Sequence, residues 1–299
     1  MKILVAGSSG LIGSELVIFL RAQGHKVMRL LRQRDQLPDD AIGWDPKTGW
    51  LSTSDFEDFD AVINLSGETI ASGRWSEERK KRIHDSRTAS TRLLALCLAG
   101  LRNPPKVMIN ASAMGYYGNC GSEIVDEEHR AGSGFLAEVC QDWEAATKPA
   151  VDKGIRVVML RFGIVLSPKG GALAQMLPAF KLGLGGKLGS GQQYMSWVLL
   201  EDVLNVIAFT LDQNAIQGPV NVGTPFPVTN QEFTQTLSKV LRKPAFLGVP
   251  AFALRLIFGQ FADEGLLSST RMGPLRLNQA NFEFAFPHLE GALRHILKD

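Results

Sequence analysis

Along the first half of the chain, short runs of consecutive apolar residues alternate with longer stretches whose apolar positions recur every three or four residues. The runs at 3–6, 26–31, 61–65, 107–111 and 156–161 are rich in Val, Ile and Leu and read as buried strands. Between them, 14–23, 77–98 and 135–151 carry helical spacing. Strands without polar alternation are covered on both faces, and strand–helix–strand succession lays them parallel. The expectation is an α/β fold, a doubly wound parallel sheet covered by helices on both faces, with right-handed crossovers.

After Ser167-Pro168 the texture changes. A glycine-rich loop, 183–193, precedes a strand-like run at 194–200 and a helix expected from Glu201. Thr229 and Glu232 stand three apart in capping-box form, so another helix should begin there. The tail from 246 onward reads as helices and loops interrupted by Pro250, Pro274 and Pro287. Residues 1–166 are expected to form the sheet domain and 167–299 a smaller α/β lobe laid on it, with 216–223 available to complete the sheet.

The net charge of +2 gives no footing for nucleic acid or an anionic membrane surface. Cys97, Cys120 and Cys140 are odd in number and share no C-x-x-C spacing, which fits a reducing compartment. The first residues show no secretory pattern, and no uncharged apolar stretch approaches the length of a membrane span. A cytoplasmic protein is expected.

The first strand runs into "GSSGLIG", with Gly7, Gly10 and Gly13 three residues apart and a helix following. Glycines at a strand–helix junction free the backbone for positive φ and admit a ligand that a Cβ would exclude. The helix start behind them offers free N–H groups and partial positive charge to a pyrophosphate. The loop Gly7, Ser9, Gly10, Leu11, Ile12, Gly13 is thus a candidate dinucleotide turn. NAD-binding turns place an acid about 20 residues further on. Here the second strand ends in Leu31 and Arg32, with Arg34 close by and no carboxylate before Asp35. A guanidinium grips a 2′-phosphate with paired bonds, so NADP is favoured, with Arg32 as its reader. Small residues in "NLSGE", including Gly67, let the backbone pass beneath the adenine ribose, and the fourth strand's end brings Ser112, Tyr116 and Tyr117 to the nicotinamide.

These motifs, with "NASAMGYYG", "RFGIVLSP" and "YMSWVLLEDV", resemble the extended short-chain dehydrogenases/reductases, the sugar-nucleotide epimerase branch. Together with "SR" at Ser86-Arg87, "FLAEVCQDWE" and "GLGG…GSGQQYMSW", they resemble most the NADP-binding "epimerase family" proteins, also labelled cell-division inhibitor homologues. The resemblance covers nearly the whole chain. It implies a Rossmann domain with a C-terminal substrate lobe and a small-molecule substrate. It also implies cofactor contacts at Gly7 to Gly13, Arg32, Leu65, Ser66, Glu68 and Arg87.

One departure bears on activity. The larger family uses a serine with Tyr and Lys in Y-x-x-x-K, where the cation favours phenolate. Aligning "LAEVCQDWE" on that helix puts Leu136 and Cys140 at the two positions, and a one-residue shift gives Phe135 and Val139. Three alternatives stay open. Tyr116 or Tyr117 serves as a displaced acid/base, other groups such as Ser112, Glu68 or Cys140 act, or the protein binds NADP and catalyses nothing. In the second half, Gln192 and Gln193 are candidate amide contacts to a ligand. Leu199 stands where relatives carry histidine, and Asp202 is expected to cap a helix or hold a turn. The run "DEEHR" at 126–130 reads as a solvated charge cluster, and the five histidines show no metal spacing. Two functions follow: an NADP-dependent oxidoreductase or epimerase acting on a small hydroxylated substrate, or an NADP(H)-responsive binding protein.

Overall fold

The computed structural model describes residues 1–33 and 35–297, so Arg34 and the last two residues, Lys298 and Asp299, lie outside the described residues. The first half runs β1 (Lys2–Ala6), α1 (Leu11–Ala22), β2 (Lys26–Leu31), β3 (Ala41–Asp45), β4 (Trp50–Leu51), β5 (Ala61–Asn64), α2 (Glu77–Gly100), β6 (Val107–Ala113), β7 (Ile124–Val125), α3 (Phe135–Ala145), α4 (Lys148–Asp152) and β8 (Arg156–Phe162). It continues through β9 (Ile164–Leu166), α5 (Gly171–Lys181), β10 (Tyr194–Met195), β11 (Trp197–Leu199), α6 (Leu200–Asp212), β12 (Gly218–Val222) and β13 (Val228–Thr229). The last elements are α7 (Asn230–Leu241), α8 (Ala251–Phe258), β14 (Arg271–Met272), α9 (Leu275–Gln279) and α10 (Leu289–Ile296).

The main sheet has the order β12-β8-β6-β5-β1-β2-β3-β4, parallel throughout except for the edge strand β4. The chain works outward from β1 through β2 and β3, then returns to β5 on the other side of β1. That reversal opens a crevice beyond the carboxyl ends of β1 and β5, where open α/β sheets bind ligands.

Burial on both faces explains the unbroken apolar runs. Ile3 and Val5 of β1 pack with α1 and α6, while Leu4 and Ala6 pack with α2 and α4. A third core joins Leu173 and Leu177 of α5, Trp197 and Leu199 of β11, Phe233 and Leu237 of α7, and Leu293 of α10. This core builds the second layer over the sheet's carboxyl edge.

Several elements depart from their sequence patterns for identifiable reasons. The helix expected over 135–151 is two, because Pro149 cannot donate a backbone hydrogen bond and begins a new segment at Lys148. The run at 194–200 divides at Ser196 because its halves pair differently, β10 with β13 and β11 with β9. Ser196 Oγ holds the break, donating to Thr270 O at 2.8 Å and accepting from Met272 N at 2.7 Å. Strand β4 is the sheet edge, while β3, next to it, is a short run broken by Gly43 that buries Ile42 and Trp44 in the second core. The capping box at Thr229 and Glu232 is formed in both directions.

The acidic run at 126–130 is corrected most sharply. Glu127 is buried and takes the amides of Asn221 (2.8 Å), Leu275 (3.1 Å) and Arg276 (3.4 Å), tying β12 to the start of α9. Burial raises its pKa, and the amides only partly oppose that rise. Asp202 is buried too, and accepts from Ala285 N and Phe286 N, so it holds a turn of the C-terminal segment. Among the described residues, no helix is long and apolar enough to cross a membrane, and no cluster of His, Cys, Asp or Glu could hold a metal.

Glu127→Ala strips three amides of their acceptor in an interior with little water. Urea unfolding should show a loss of about 2–4 kcal/mol. A loss within error of the wild type would mean that the clasp does not hold the C-terminal segment.

Candidate functional site

The glycine turn sits at the crevice between β1 and β5. Gly7 has φ +74°, and a Cβ there would stand 2.6 Å from the Leu65 carbonyl, so glycine is required both by conformation and by the neighbouring strand end. A Cβ on Gly13 would collide with the Gly7 carbonyl oxygen. Gly10 differs, because the protein itself leaves its Cβ position in ordinary contact, 3.4 Å from Gly7 O. Two of the three glycines therefore close the turn, and the third keeps the open side clear.

Behind the turn, α1 begins without a side-chain cap and without an acid in its first turn. Its leading N–H groups and partial positive charge thus face the crevice uncompensated. Among the described residues, Ser8 Oγ, in the same turn, is buried and has no hydrogen-bond partner. A buried polar atom is ordinarily satisfied, so this one fits a ligand that supplies an acceptor.

The other expected nucleotide contacts surround this point. Arg32 is exposed at the end of β2 and makes no hydrogen bond or ion pair with a described residue. The nearby carboxylate of Asp40 is already bound by Arg29 and Arg21, each at 2.5 Å. Arg29 first, then Arg21, hold its pKa down to about 2. Leu65, Ser66 and Gly67 line the strand end opposite Gly7, and Ser66 N donates to Asn64 Oδ1 at 3.2 Å. Glu68 is fixed by its backbone: its amide donates to Ser86 Oγ (3.0 Å) and its carbonyl accepts from Arg87 (2.9 Å). Arg87 also donates to Ile83 O, lies 5.1 Å over the Trp143 ring and is drawn below its usual pKa by burial.

The end of β6 is arranged differently from expectation. Successive residues of a strand point to opposite faces. Ala113, Met114 and Gly115 reach a cavity, whereas Ser112 is buried and donates to Glu144 Oε1 at 2.7 Å. Tyr117 is buried, donating to Asn221 Oδ1 (2.7 Å) and accepting from Arg161 (2.9 Å). Tyr116 lies against Arg161, whose guanidinium carbon is 3.4 Å from the ring centre. None of the three candidate catalytic residues lines the cavity. They surround Arg161 behind its wall.

Arg161 organises that wall. Its Nε and Nη2 bind the two carboxylate oxygens of Glu144 at 2.7 and 2.8 Å, joining β8 to α3. Arg161 and Glu144 escaped notice as site residues. The available signal was an arginine inside the apolar strand text "VVMLRF", since a buried cation demands a partner. A second buried polar set lies below: Asn64 Nδ2 donates to Asn110 Oδ1 (2.7 Å) and Thr91 Oγ1 (2.9 Å), and Trp143 Nε1 donates to the same hydroxyl.

The cavity has a volume of about 720 Å³ and lies between the β6 loop, α3, the β8–β9 turn, α5 and the C-terminal segment. Leu136 and Cys140 line it on the side of Gly115, where a Cβ would be 3.2 Å from Leu136 and 3.7 Å from the Cys140 sulfur. Burial pushes the Cys140 thiol up to about 12, which leaves it a neutral, weak donor near Ala113 O. Gln193 does not reach the cavity, because its amide donates to Leu188 O and Leu266 O. Gln192 is exposed and faces Gln231. Leu199 is fully buried in the third core. Tyr194, Met195 and Asn230 supply the lining from that side.

Comparison with known proteins gives consistent matches. The profile of the NAD dependent epimerase/dehydratase family matches residues 3–223, and that of a domain of unknown function (DUF1731) matches residues 249–296. Epimerase family protein Mb2239 of Mycobacterium bovis is 47% identical over 282 residues, 94% of this chain and 93% of its own. The crystal structure of human epimerase family protein SDR39U1 (isoform 2) with NADPH superposes with TM-score 0.90 at 32% identity, covering both chains completely. A nucleoside-diphosphate sugar epimerase from Corynebacterium glutamicum superposes with TM-score 0.82 at 33% identity, over 99% of this chain and 58% of that one.

Burial, opposed by the pull of Arg161, raises the Tyr117 pKa from 10 to about 12. The folded state thus holds this proton more tightly than the unfolded chain. The contribution is complete below pH 10 and is lost as pH rises through the folded value, about 2–3 kcal/mol in all. Denaturation between pH 9 and 12, on a scale set by the two pKa values, should therefore show a steeper decline for the wild type than for Tyr117→Phe; parallel curves would exclude the buried phenol as the cause.

Proposed function

The chain belongs to the NAD dependent epimerase/dehydratase family, and from that membership we propose that it binds NADP(H) across the β1–α1 turn and acts as an oxidoreductase or epimerase on a small hydroxylated or carbonyl substrate in the adjoining cavity. The observation that carries the proposal is the uncapped start of α1 beside the unpartnered Ser8 Oγ, with the Gly10 side left open. A pyrophosphate meets all three features at once. The human relative's crystal structure was determined with NADPH, which supports the choice of cofactor.

In this proposal Gly7, Ser9, Gly10, Leu11, Ile12 and Gly13 form the phosphate turn, and Arg32 takes the 2′-phosphate. Leu65, Ser66, Gly67 and Glu68 pass beside the adenosine. Arg87 fixes that segment through the Glu68 carbonyl. Ser112, Tyr116 and Tyr117 set the position of the β6 wall through Arg161 and touch no ligand. Bound NADPH supplies hydride, while the chain orients the acceptor and keeps water out. Residues 167–299 form the substrate lobe, and the protein works in the cytoplasm.

A second reading rests on Leu136 and Cys140, which occupy the cavity wall where a phenol and an ammonium would be needed. A non-catalytic NADP(H)-responsive protein has no use for that pair. Steady NADPH absorbance across a broad panel of alcohols and ketones, together with a partner captured only in one cofactor state, would favour it.

Calorimetry should show tighter binding of NADPH than of NADH. Arg32→Ala should weaken NADPH by about 1.5–3 kcal/mol, roughly 10- to 100-fold, and leave NADH unchanged. Equal weakening of both cofactors would remove Arg32 from the 2′-phosphate.

A further inference from the structure

We infer that the cavity takes an uncharged, largely apolar carbonyl compound or alcohol, and not a nucleoside diphosphate sugar; the inference rests on the NADP(H) placement proposed above and names the substrate class of the same site. A diphosphate brings at least two negative charges that must meet cations or free backbone donors when they leave water. Among the described residues, the cavity lining contains three charged side chains: Arg87, Asp263 and Glu264. Arg87 is committed to the carbonyls of Ile83 and Glu68. Asp263 is paired with Arg255 at 2.8 Å. Glu264 accepts from Leu136 N at 2.8 Å and from Gln260 at 2.6 Å, so it caps α3 with a negative charge. Arg79, just outside, is turned to the Thr69 carbonyl, Ser72 and Glu68. A diphosphate in this chamber would find one engaged guanidinium and two carboxylates.

The rest of the wall points the same way. Leu136, Ile164, Met176, Met195, Phe261 and Leu266 supply apolar surface from five different segments of the chain. Methionines at 176 and 195 fit irregular apolar shapes. Apart from those three side chains, the polar lining is neutral. Among the described residues, the hydroxyls of Ser133, Ser268 and Tyr194 make no hydrogen bond, and the Asn119 amide nitrogen donates none, although Asn119 Oδ1 accepts from Gly121 N and Ser269 N. A few neutral donors in an apolar chamber of about 720 Å³ suit one oxygen function on an otherwise hydrophobic molecule.

The test uses the full chain and three probes: Prodan, a neutral naphthalene ketone whose fluorescence reports an apolar site, and UDP and UDP-glucose as competitors. Titrations are run with and without saturating NADPH. Prodan should bind the NADPH-loaded protein with blue-shifted emission, and neither UDP nor UDP-glucose should displace it or give heat in calorimetry. Met176→Lys should weaken Prodan by roughly tenfold or more while the NADPH affinity and melting temperature hold. If that variant does not fold, Ala172→Lys, at the exposed rim of the same cavity, gives the same readout. Displacement by UDP-glucose, or absence of Prodan binding to the loaded protein, overturns the inference and leaves the cofactor proposal standing. Prodan binding without any NADPH affinity sinks the cofactor proposal and sustains the apolar cavity.

Discussion

Arg161 carries its charge where no water reaches, and the wall of the cavity follows from how that charge is met. The Glu144 carboxylate takes two of its nitrogens, the Tyr117 oxygen takes a third, and the Tyr116 ring covers its face. Through Glu144 the arrangement reaches Ser112 on β6, and through Tyr117 it reaches Asn221 on β12. Three neighbouring strands, one helix and the loop after β6 are thereby placed relative to one another by one cation. A buried pair of this kind contributes little net stability over a hydrophobic replacement, but breaking one partner strands the other. The geometry of the site is consequently all-or-none at this point. The loop from Met114 to Gly118 sits where Arg161 and its partners hold it.

The fold was legible because its main physical cause, burial on both faces of parallel strands, leaves a pattern in local sequence. The five strands read from apolar runs all lie in the central sheet, and the glycine turn after β1 was visible because part of its spacing reflects a local collision, of a Gly13 Cβ with the Gly7 carbonyl, although the contact of Gly7 with Leu65 is long-range. What the sequence hid depends on partners far apart in the chain. Glu127 looks solvated among its charged neighbours, and only the approach of Asn221 and Leu275, about a hundred residues away or more, makes it a buried clasp. Tyr117 looks like an available phenol beside a nicotinamide until β8 and β12 supply Arg161 and Asn221. Strands β3 and β4 left a weak pattern for another reason: β3 buries Ile42 and Trp44 in a five-residue run broken by Gly43, and β4 has only two residues.

Placing Leu136 and Cys140 in the wall changes what the site asks of its ligand. A phenol–ammonium pair would polarise a substrate oxygen and anchor a ribose. A leucine and a neutral thiol do neither, and they enlarge the apolar surface that a ligand meets. The α3 start carries its own Glu138, and its Leu136 amide also donates to Glu264, a residue of the C-terminal segment. The Glu264 contact ties the start of α3 to the C-terminal segment, which couples the shape of the chamber to the docking of residues 262–266.

That dependence also orders assembly. All eight strands of the main sheet have emerged once synthesis passes residue 222. The amides that Glu127 and Asp202 will bind, at Leu275, Arg276, Ala285 and Phe286, come from the last thirty residues or so. The main sheet, with the crevice at the β1–α1 turn, can thus be complete while Glu127 and Asp202 still lack these partners. The segment that lines the chamber between Phe258 and Thr270 is likewise among the last to emerge, so the chamber is enclosed late in the assembly of the fold.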